Sequence, residues 1–577
     1  MTNDTGTDHD ATTAAADVTA GAAVAVLAED VWQETLRRVP YFASRAGQPV
    51  EAMPHATLEE AEERASFARG VLQRLDGIET TALGDHDRDT AAYLRHAMTE
   101  QVGAADAWWW SCDVTPYRIR AVSLDATLIL GTMALDHADD VDRYVTLCDD
   151  LVAAVETMPT KLRAQAQRGW HVPGPALARV TGAVHGQRGA VPDLLRVADD
   201  RTAGLSDADR GRLRDGVEAL LRDRLLPAFD AVLDHLSGPA REAAPPDVGI
   251  GQFPGGEEAY QELVNRYATY SIDAREVHDI GLADVADLTE RMAAVRRTAG
   301  FGGDEAAWAA TLRADARFNA DSPEGVATTY RRHVAAIEPL IDQYFSVLPE
   351  APYDVRRLEP ELEPGLTYGH YELPKPDEPR GLYRFNGSGL DTRSQLNAAA
   401  IIFHELIPGH HFHLARQAEN ASLPKIRSEV APMVLGAYTE GWAEYAASLG
   451  FEMGLYDDPW DHYGALIHQR FIAQRLVVDT GMNLLGWSRD RAREFMAANT
   501  MESADQVASE TLRYSVDMPA QALGYRLGFR RFTQLRAEAA AALGAAFDVR
   551  AYHEVVLGPG SLPLAIVADN VARWTTR

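Results

Sequence analysis

Residues 403–411 read Phe-His-Glu-Leu-Ile-Pro-Gly-His-His, a helix-like stretch that combines three histidines with a helix breaker. A zinc-peptidase helix usually carries His-Glu-x-x-His, with its histidines four residues apart on one face. Here Pro408 stands in the place of the second histidine. In a regular helix His410 would be turned roughly 120° away from His404, because each residue adds about 100°. We therefore predict that Pro408 and Gly409 break the helix, since proline removes a backbone donor and glycine tolerates unusual dihedral angles.

The residue types around this break are those of a catalytic zinc site. Such an ion takes three protein ligands, usually imidazoles and a carboxylate, and keeps a fourth position open. His404 and Glu440 supply one ligand of each kind. A break in the helix would bring His410 to the same ion, with His411 as the second choice and His413 as the third.

Three glutamates accompany these histidines. Glu405 follows the first histidine directly and is the natural residue to take a proton from water and pass it to a leaving group. Glu440 and Glu444 lie four residues apart in a helix-like stretch, so both carboxylates share one face and favour a bound cation. The alternative is a polar helix end that binds no ion, and the number and type of the candidate ligands argue against it.

Several segments resemble the domain of unknown function 885 family of bacterial proteins, which is similar in pattern to helical zinc carboxypeptidases and oligopeptidases. The segments are residues 404–411, 440–443, 276–282, 381–386 and 513–525. In the last of them, Ala520 stands where the family usually has glycine. The resemblance is convincing from about residue 255 onward and fainter before it. It implies a mainly α metallohydrolase, metallopeptidase-like, with a deep active-site cleft.

Carried over to this sequence, the resemblance implies one zinc ion bound by His404, His410 and Glu440. It makes Glu405 the general acid and base.

The resemblance also supplies candidates around the substrate. Tyr514 and Tyr525 are candidate donors to the oxyanion that forms when water attacks an amide carbonyl. Arg513 and Arg526 are candidates to bind a substrate carboxylate.

Composition limits the other possibilities. The 577 residues exceed one ordinary core, which favours two helical lobes around a cleft. The net charge of −30 argues against nucleic acid and anionic membranes as partners. Two cysteines exclude a disulfide framework. No signal-peptide pattern and no apolar stretch of about 18 residues occurs, so we predict a cytoplasmic protein.

The chain order predicts three parts. Residues 1–22 are rich in Thr, Asp, Ala and Gly and are typical of a disordered tail. Residues 23–245 show helical periodicity and form an N-terminal lobe, which ends at a Pro- and Gly-rich break. Residues 246–577 form the metal-binding lobe, although both lobes are expected to make one continuous unit. Within it, the Tyr- and Pro-rich stretch at 367–386 predicts short strands, whose edge could pair with a peptide backbone.

These features predict a zinc-dependent hydrolase of peptide or other amide bonds. One alternative is a dedicated amide hydrolase that acts on a small metabolite. Another is a non-catalytic helical binding protein, against which Glu405 argues, because a structural metal site does not need an unligated carboxylate. The sequence leaves the substrate, the choice between internal and terminal cleavage and the oligomeric state open.

Overall fold

The protein is described by a computed structural model that covers residues 7–363, 368–391 and 393–577, with side chains from residue 20 onward. The predicted mainly α class is confirmed. Up to residue 260 the helices are α1 (Thr7–Arg38), α2 (Pro40–Arg45), α3 (Leu58–Asp76), α4 (Asp85–Val102), α5 (Ala104–Trp110), α6 (Ala121–Asp125), α7 (Ala138–Gln167), α8 (Gly174–Leu195), α9 (Asp207–Leu220), α10 (Leu226–Ser237), α11 (Pro239–Ala243) and the first part of α12 (Gly256–Ala268).

The later helices carry the residues of the predicted site. They are α13 (Ala274–Thr298), α14 (Glu305–Ala314), α15 (Pro323–Ile337), α16 (Ala398–Glu405), α17 (His410–Glu419), α18 (Ala431–Val434), α19 (Gly436–Glu452), α20 (Pro459–Asn483), α21 (Arg489–Asn499), α22 (Ala504–Leu512), α23 (Leu523–Leu543), α24 (Val549–Leu557) and α25 (Leu564–Thr576). Among the described helices, none is long and apolar enough to cross a membrane.

The predicted N-terminal tail falls partly outside the described residues, since nothing is described for residues 1–6. Helix α1 begins at Thr7, so the rest of the predicted tail is helical. Alanine is frequent in this part of the chain and has the highest helix propensity, which explains the difference.

The chain divides into two compact units, and both are discontinuous in sequence. The first unit contains the described residues up to Tyr260 together with Met482–Arg489 and Glu510–Pro519. The second unit contains Gln261–Gly481, Asp490–Ser509 and Ala520–Arg577. The boundary that we predicted after residue 245 therefore lies before the observed one, which falls inside α12. The cleft between two lobes stays a prediction.

Helix α7 illustrates how the apolar pattern builds the core of the first unit. Val141, Tyr144, Cys148, Leu151 and Val155 recur at helical spacing, and all are buried. Cys148 thus has the role of a small core hydrophobe, and burial raises the pKa of its thiol to about 12.

The second unit contains a three-stranded sheet next to the site. Its strands are β1 (Tyr353–Arg357), β2 (Gly369–Glu372) and β3 (Gly381–Phe385), in the order β1-β3-β2. β3 pairs with β1 in parallel and with β2 antiparallel, so β2 lies at one edge. The short strands that we predicted between residues 367 and 386 are confirmed for the described part of that stretch.

Helices α19 and α23 approach each other closely at two glycines. A Cβ atom on Gly441 would lie 2.4 Å from the Cα of Gly528, and one on Gly528 would lie 2.0 Å from the carbonyl oxygen of Ala437. No larger residue fits at either position without moving a helix backbone. This contact fixes the helix that carries Glu440 and Glu444.

Candidate metal centre

The helix that begins the motif ends shortly before the predicted break at Pro408 and Gly409. Helix α16 is buried along its length and ends at Glu405, and α17 begins at His410. Between them, the Ile407–Pro408 peptide bond is cis. Gly409 is needed at the break, because a Cβ atom there would lie only 1.8 Å from the carbonyl oxygen of His404.

This break brings the two predicted imidazoles together. The ring centroids of His404 and His410 lie 4.7 Å apart, with the rings nearly perpendicular. Both residues are buried. A continuous helix would have directed the two side chains to different faces.

Glu440 on α19 completes a group of three. Its Oε2 atom lies 3.4 Å from Nε2 of His404 and 3.5 Å from Nε2 of His410. The three ligand atoms all lie within 4.8 Å of one another. Burial raises the pKa of Glu440, but its interactions with the two histidines outweigh burial and hold the pKa below its ordinary value.

The separations between these atoms fit a common zinc ion. Zinc binds imidazole nitrogen and carboxylate oxygen at about 2.0–2.2 Å, so the edge of a tetrahedron of such ligands measures about 3.3–3.6 Å. The observed 3.4 and 3.5 Å fall in this range. They exceed the 2.7–3.2 Å that is typical of N–H···O hydrogen bonds. The three residues therefore fit the metal that the sequence predicts.

The charge of the group also favours a cation. Glu405, Glu440 and Glu444 surround two imidazoles, which leaves an excess of carboxylates at a buried place. Burial lowers the pKa of His404, but the carboxylates outweigh burial and raise that pKa well above its ordinary value. Buried charges of one sign are costly unless a counter-ion is present.

Glu405 keeps one oxygen free of other partners. Its Oε2 atom is buried and has no hydrogen-bond partner within the described part of the chain. Burial raises the pKa of Glu405, although the imidazoles of His404 and His410 act in the opposite direction. A carboxylate that is not a ligand and has a raised pKa suits proton transfer.

His411, the second candidate ligand, has its side chain directed to other partners. His411 donates from Nε2 to the carbonyl oxygen of Ala351 at 3.0 Å and accepts at Nδ1 from the hydroxyl of Tyr371 at 2.9 Å. Burial lowers the pKa of His411 to about 4. Both ring nitrogens are thus occupied, and His410 joins the group instead.

His413, the third candidate ligand, has other partners at one of its two ring nitrogens. Nε2 of His413 lies 2.7 Å from the hydroxyl of Ser561 and 3.0 Å from the side-chain oxygen of Gln417. Burial lowers the pKa of His413 to about 3. Among the three candidates that the sequence left open, only His410 has a ligand atom grouped with those of His404 and Glu440 in the described part of the chain.

The predicted substrate residues have side-chain partners of their own in the structure. Tyr514 belongs to the first unit and donates its hydroxyl to Glu510, which also pairs with Arg513 at 3.3 Å. In the second unit, the ring of Tyr525 lies against the guanidinium of Arg475, 4.6 Å from the ring centroid. The roles that we gave to both tyrosines stay predictions.

Arg526 has a partner that the sequence did not reveal. Its Nε donates to Asp284 at 2.6 Å, and both side chains are buried. Burial lowers the pKa of this guanidinium, although Asp284 acts in the opposite direction. The predicted contact between Arg526 and a substrate carboxylate stays a prediction, and the structure gives this residue a different ion pair.

The sequence missed His468 on α20. Its Nε2 atom lies 3.0 and 3.1 Å from the two carboxylate oxygens of Glu444. Glu444 in turn has an oxygen 3.1 Å from Nδ1 of His404. No motif surrounds His468, and only its place in the fold connects it with the site.

Comparison with known proteins assigns the chain to a family. The family described as "Bacterial protein of unknown function (DUF885)" matches residues 40–571. The chain belongs to the DUF885 family. No curated protein matches this DUF885 chain.

Two solved structures resemble the DUF885 fold. One is described as a "putative lipoprotein" from Colwellia psychrerythraea, with 24% identity, a TM-score of 0.81 and coverage of 96% of this chain and 99% of that one. The other is a "putative lipoprotein of unknown function" from Shewanella oneidensis, with 17% identity, a TM-score of 0.70 and coverage of 95% and 98%. At these identities the likeness shows the fold alone.

The descriptions of these two structures bear on the location that we predicted. We expected a cytoplasmic protein because the sequence lacks a signal-peptide pattern and a spanning stretch. Both solved structures are described as a "putative lipoprotein", which contradicts that expectation. The prediction of a cytoplasmic DUF885 protein was wrong, because absent sequence signals are weak evidence of location.

Proposed function

We propose that this DUF885 protein is a zinc-dependent hydrolase that cleaves amide bonds in peptides. The observation that carries the proposal is the geometry of His404, His410 and Glu440, with interatomic separations of 3.4 and 3.5 Å. Glu405 lies beside this group and is not part of it. Three ligands with a separate carboxylate distinguish a catalytic zinc site from a structural one.

Zinc bound there would supply a Lewis acid that polarises a carbonyl oxygen and acidifies water. Glu405 accepts the proton that water loses when it attacks the carbonyl carbon, and it then donates that proton to the leaving amine. Its raised pKa assists both steps, because a proton carrier works best when its pKa approaches the working pH.

The sheet favours a peptide over a small amide. Strand β2 lies at the edge of the described sheet, and within the described strands its outer side has no partner. The ring of Tyr371 on this strand lies 6.5 Å from the ring of His410. A peptide that pairs with the outer side of β2 would therefore run past the group of His404, His410 and Glu440. Strand addition of this kind is a common mode of peptide recognition.

A pair of neighbouring histidines tests the metal assignment. Protein purified without chelator is analysed for zinc and assayed against a peptide library, for the unaltered chain and for His410→Gln and His411→Gln. We expect about one zinc per chain in the unaltered protein, loss of zinc and turnover in His410→Gln, and retained zinc in His411→Gln. The control is matched, because the two residues are adjacent, buried and replaced by the same amide.

The outcomes separate the candidate functions. Cleavage of many peptides supports the proposal, whereas zinc binding without peptide cleavage favours a dedicated hydrolase of a small amide. An unaltered protein that binds no zinc contradicts the metal assignment itself. Equal zinc loss in both variants also contradicts it, because His411 does not face Glu440 in the structure.

A further inference from the structure

Glu444 lies next to the group of three predicted ligands, between the imidazoles of His404 and His468. One of its oxygens is 3.1 Å from Nδ1 of His404, and both oxygens lie within 3.0–3.1 Å of Nε2 of His468. Only 3% of Glu444 is exposed. Glu440, one helical turn earlier on α19, is near the other nitrogen of His404. The imidazole of His404 thus lies between two carboxylates.

We infer that Glu444 and His468 are positioning residues, which fix the ring of His404 and direct its Nε2 atom to the metal. The inference rests on the proposed zinc site and extends it. A ligating histidine holds its metal better when its other ring nitrogen interacts with a carboxylate, because this fixes the tautomer and makes the ligating nitrogen more basic. His468 holds the carboxylate of Glu444 in place from a further helix, α20.

A second metal ion is the competing explanation for the same three residues. His404, Glu444 and His468 also place ligand atoms within 4.8 Å of one another. Their separations of 3.0–3.1 Å are shorter than the roughly 3.3–3.6 Å edge of a zinc tetrahedron and lie in the range of hydrogen-bond distances. An ion there would also require His404 to bridge two metals and lose both ring protons. The distances and the proton count favour positioning.

The two ligand histidines differ in how they are supported. Nδ1 of His404 is close to Glu444, although the ring N–H does not point straight at the oxygen. Nδ1 of His410 is buried without a hydrogen-bond partner in the part of the chain that the structure describes. His404 is therefore the ligand whose orientation the protein controls through a second layer of side chains. Loss of Glu444 should weaken the metal site through His404.

The test compares zinc affinity in Glu444→Gln, His468→Gln and the double variant. Affinity is measured by competition with a chelator, and the stability of each metal-free protein is measured by thermal unfolding. We expect Glu444→Gln to weaken zinc binding about 10- to 100-fold with an unchanged stoichiometry. We expect His468→Gln to weaken it less, and its effect to disappear in the Glu444→Gln background, because His468 acts only through Glu444.

Glu363→Gln provides a matched control. Glu363 is also 3% exposed and accepts three hydrogen bonds, two from Arg357 and one from the backbone N–H of Gly387. The same substitution there should leave zinc affinity unchanged. A cobalt-substituted protein adds a second readout, since its visible absorption spectrum should change in Glu444→Gln and not in Glu363→Gln.

Each result supports or overturns the inference. It is overturned if Glu444→Gln binds zinc as tightly as the unaltered protein, or if Glu444→Gln only lowers the stability of the metal-free chain. It is also overturned if the unaltered protein binds two zinc ions and the variant binds one. These results leave the proposed function intact, whereas an unaltered protein without zinc affinity contradicts both.

Discussion

Two adjacent histidines in this protein point to different partners. His410 faces His404 and Glu440, whereas His411 is held by Tyr371 and a backbone carbonyl. Their order along the chain carries no information about this difference. The direction of each side chain follows from the dihedral angles of the break before them, and residue types alone do not fix those angles.

Glu405 is the residue whose replacement separates chemistry from metal binding. We expect Glu405→Gln to keep about one zinc per chain and to lower kcat by roughly 10²–10⁴, because an amide cannot carry the proton. Zinc content and peptide turnover are measured on the same sample. Retention of full kcat would show that another group transfers the proton.

Glu452→Gln serves as the control for that substitution. Glu452 lies on α19 and forms an exposed ion pair with Arg536 at 2.6 Å. The same change there should leave both zinc content and kcat unchanged, because exposed ion pairs contribute little and Glu452 is more than one helical turn beyond Glu444.

At Ala520 the sequence departs from the family pattern, but the backbone keeps a conformation that glycine prefers. The resemblance predicted glycine at this place, and the backbone of Ala520 has a φ of 67°, in the left-handed region that glycine prefers. Its backbone N–H donates to the buried carboxylate of Asp479 at 3.0 Å. The turn is thus kept with alanine, and the hydrogen bond holds the less favourable conformation in place.

At the scale of helices, the contact of α19 with α23 is sensitive to side-chain size. We expect Gly528→Ala to destabilise the protein by about 1–3 kcal/mol, because the new methyl group meets the backbone of α19. Denaturant unfolding measures the change in the free energy of unfolding. Zinc affinity should fall as well, since α19 carries Glu440.

Gly186→Ala is the matched control for this substitution. Gly186 is exposed within α8, and a Cβ atom there would meet nothing within 4 Å. This change should stabilise the protein by about 0.5–1 kcal/mol, because alanine is the better helix former. A similar loss of stability in both variants would show that the α19–α23 contact is not specially tight.

Much of the site follows from sequence, and the rest follows from packing. The types and spacing of His404, Glu405 and Glu440 predict the ligand group and its carboxylate, and Pro408 predicts the break. His468 was not predictable, because it reaches Glu444 from a separate helix and no motif surrounds it. Partners such as Asp284 for Arg526 were hidden for the same reason: their positions in the chain lie far apart.

At the scale of the whole molecule, helix content was predictable, and the division of the chain was not. Apolar periodicity at the scale of single helices predicts a mainly α protein, as α7 shows. The division into units depends on contacts between distant segments, such as the bond from Tyr117 to Asp517 in the first unit. The proline- and glycine-rich break near residue 245 could not reveal that later segments of the chain pack into the first unit.

Buried neutral histidines predict that the fold loses stability in acid. Burial lowers the pKa of His553 from 6.5 to about 3, and that of His333 to about 4. Between these values and pH 6.5 the unfolded chain binds protons that the folded chain does not, so stability rises with pH and is lost as pH falls. The free energy of unfolding, measured from pH 8 to pH 4, should therefore decrease.

His553→Gln tests this origin of acid sensitivity. His553 donates from Nδ1 to the carbonyl of Tyr344 at 2.8 Å and accepts from the hydroxyl of Tyr445 at 2.9 Å, and an amide can make both bonds. The pH dependence should become shallower by about one proton between pH 6 and 4. His185→Gln, at an exposed position on α8, should leave the slope unchanged. An unchanged slope in His553→Gln would assign the acid sensitivity to other groups.

The late segments that belong to the first unit limit how early this unit can fold during synthesis on the ribosome. Those segments end at Pro519, so the first unit lacks part of its own core until most of the polypeptide has been made. Domains usually fold as they emerge, N-terminal part first. Here the early part must wait for a late segment, and a truncation before that segment would leave even the beginning of the protein without its complete set of internal neighbours.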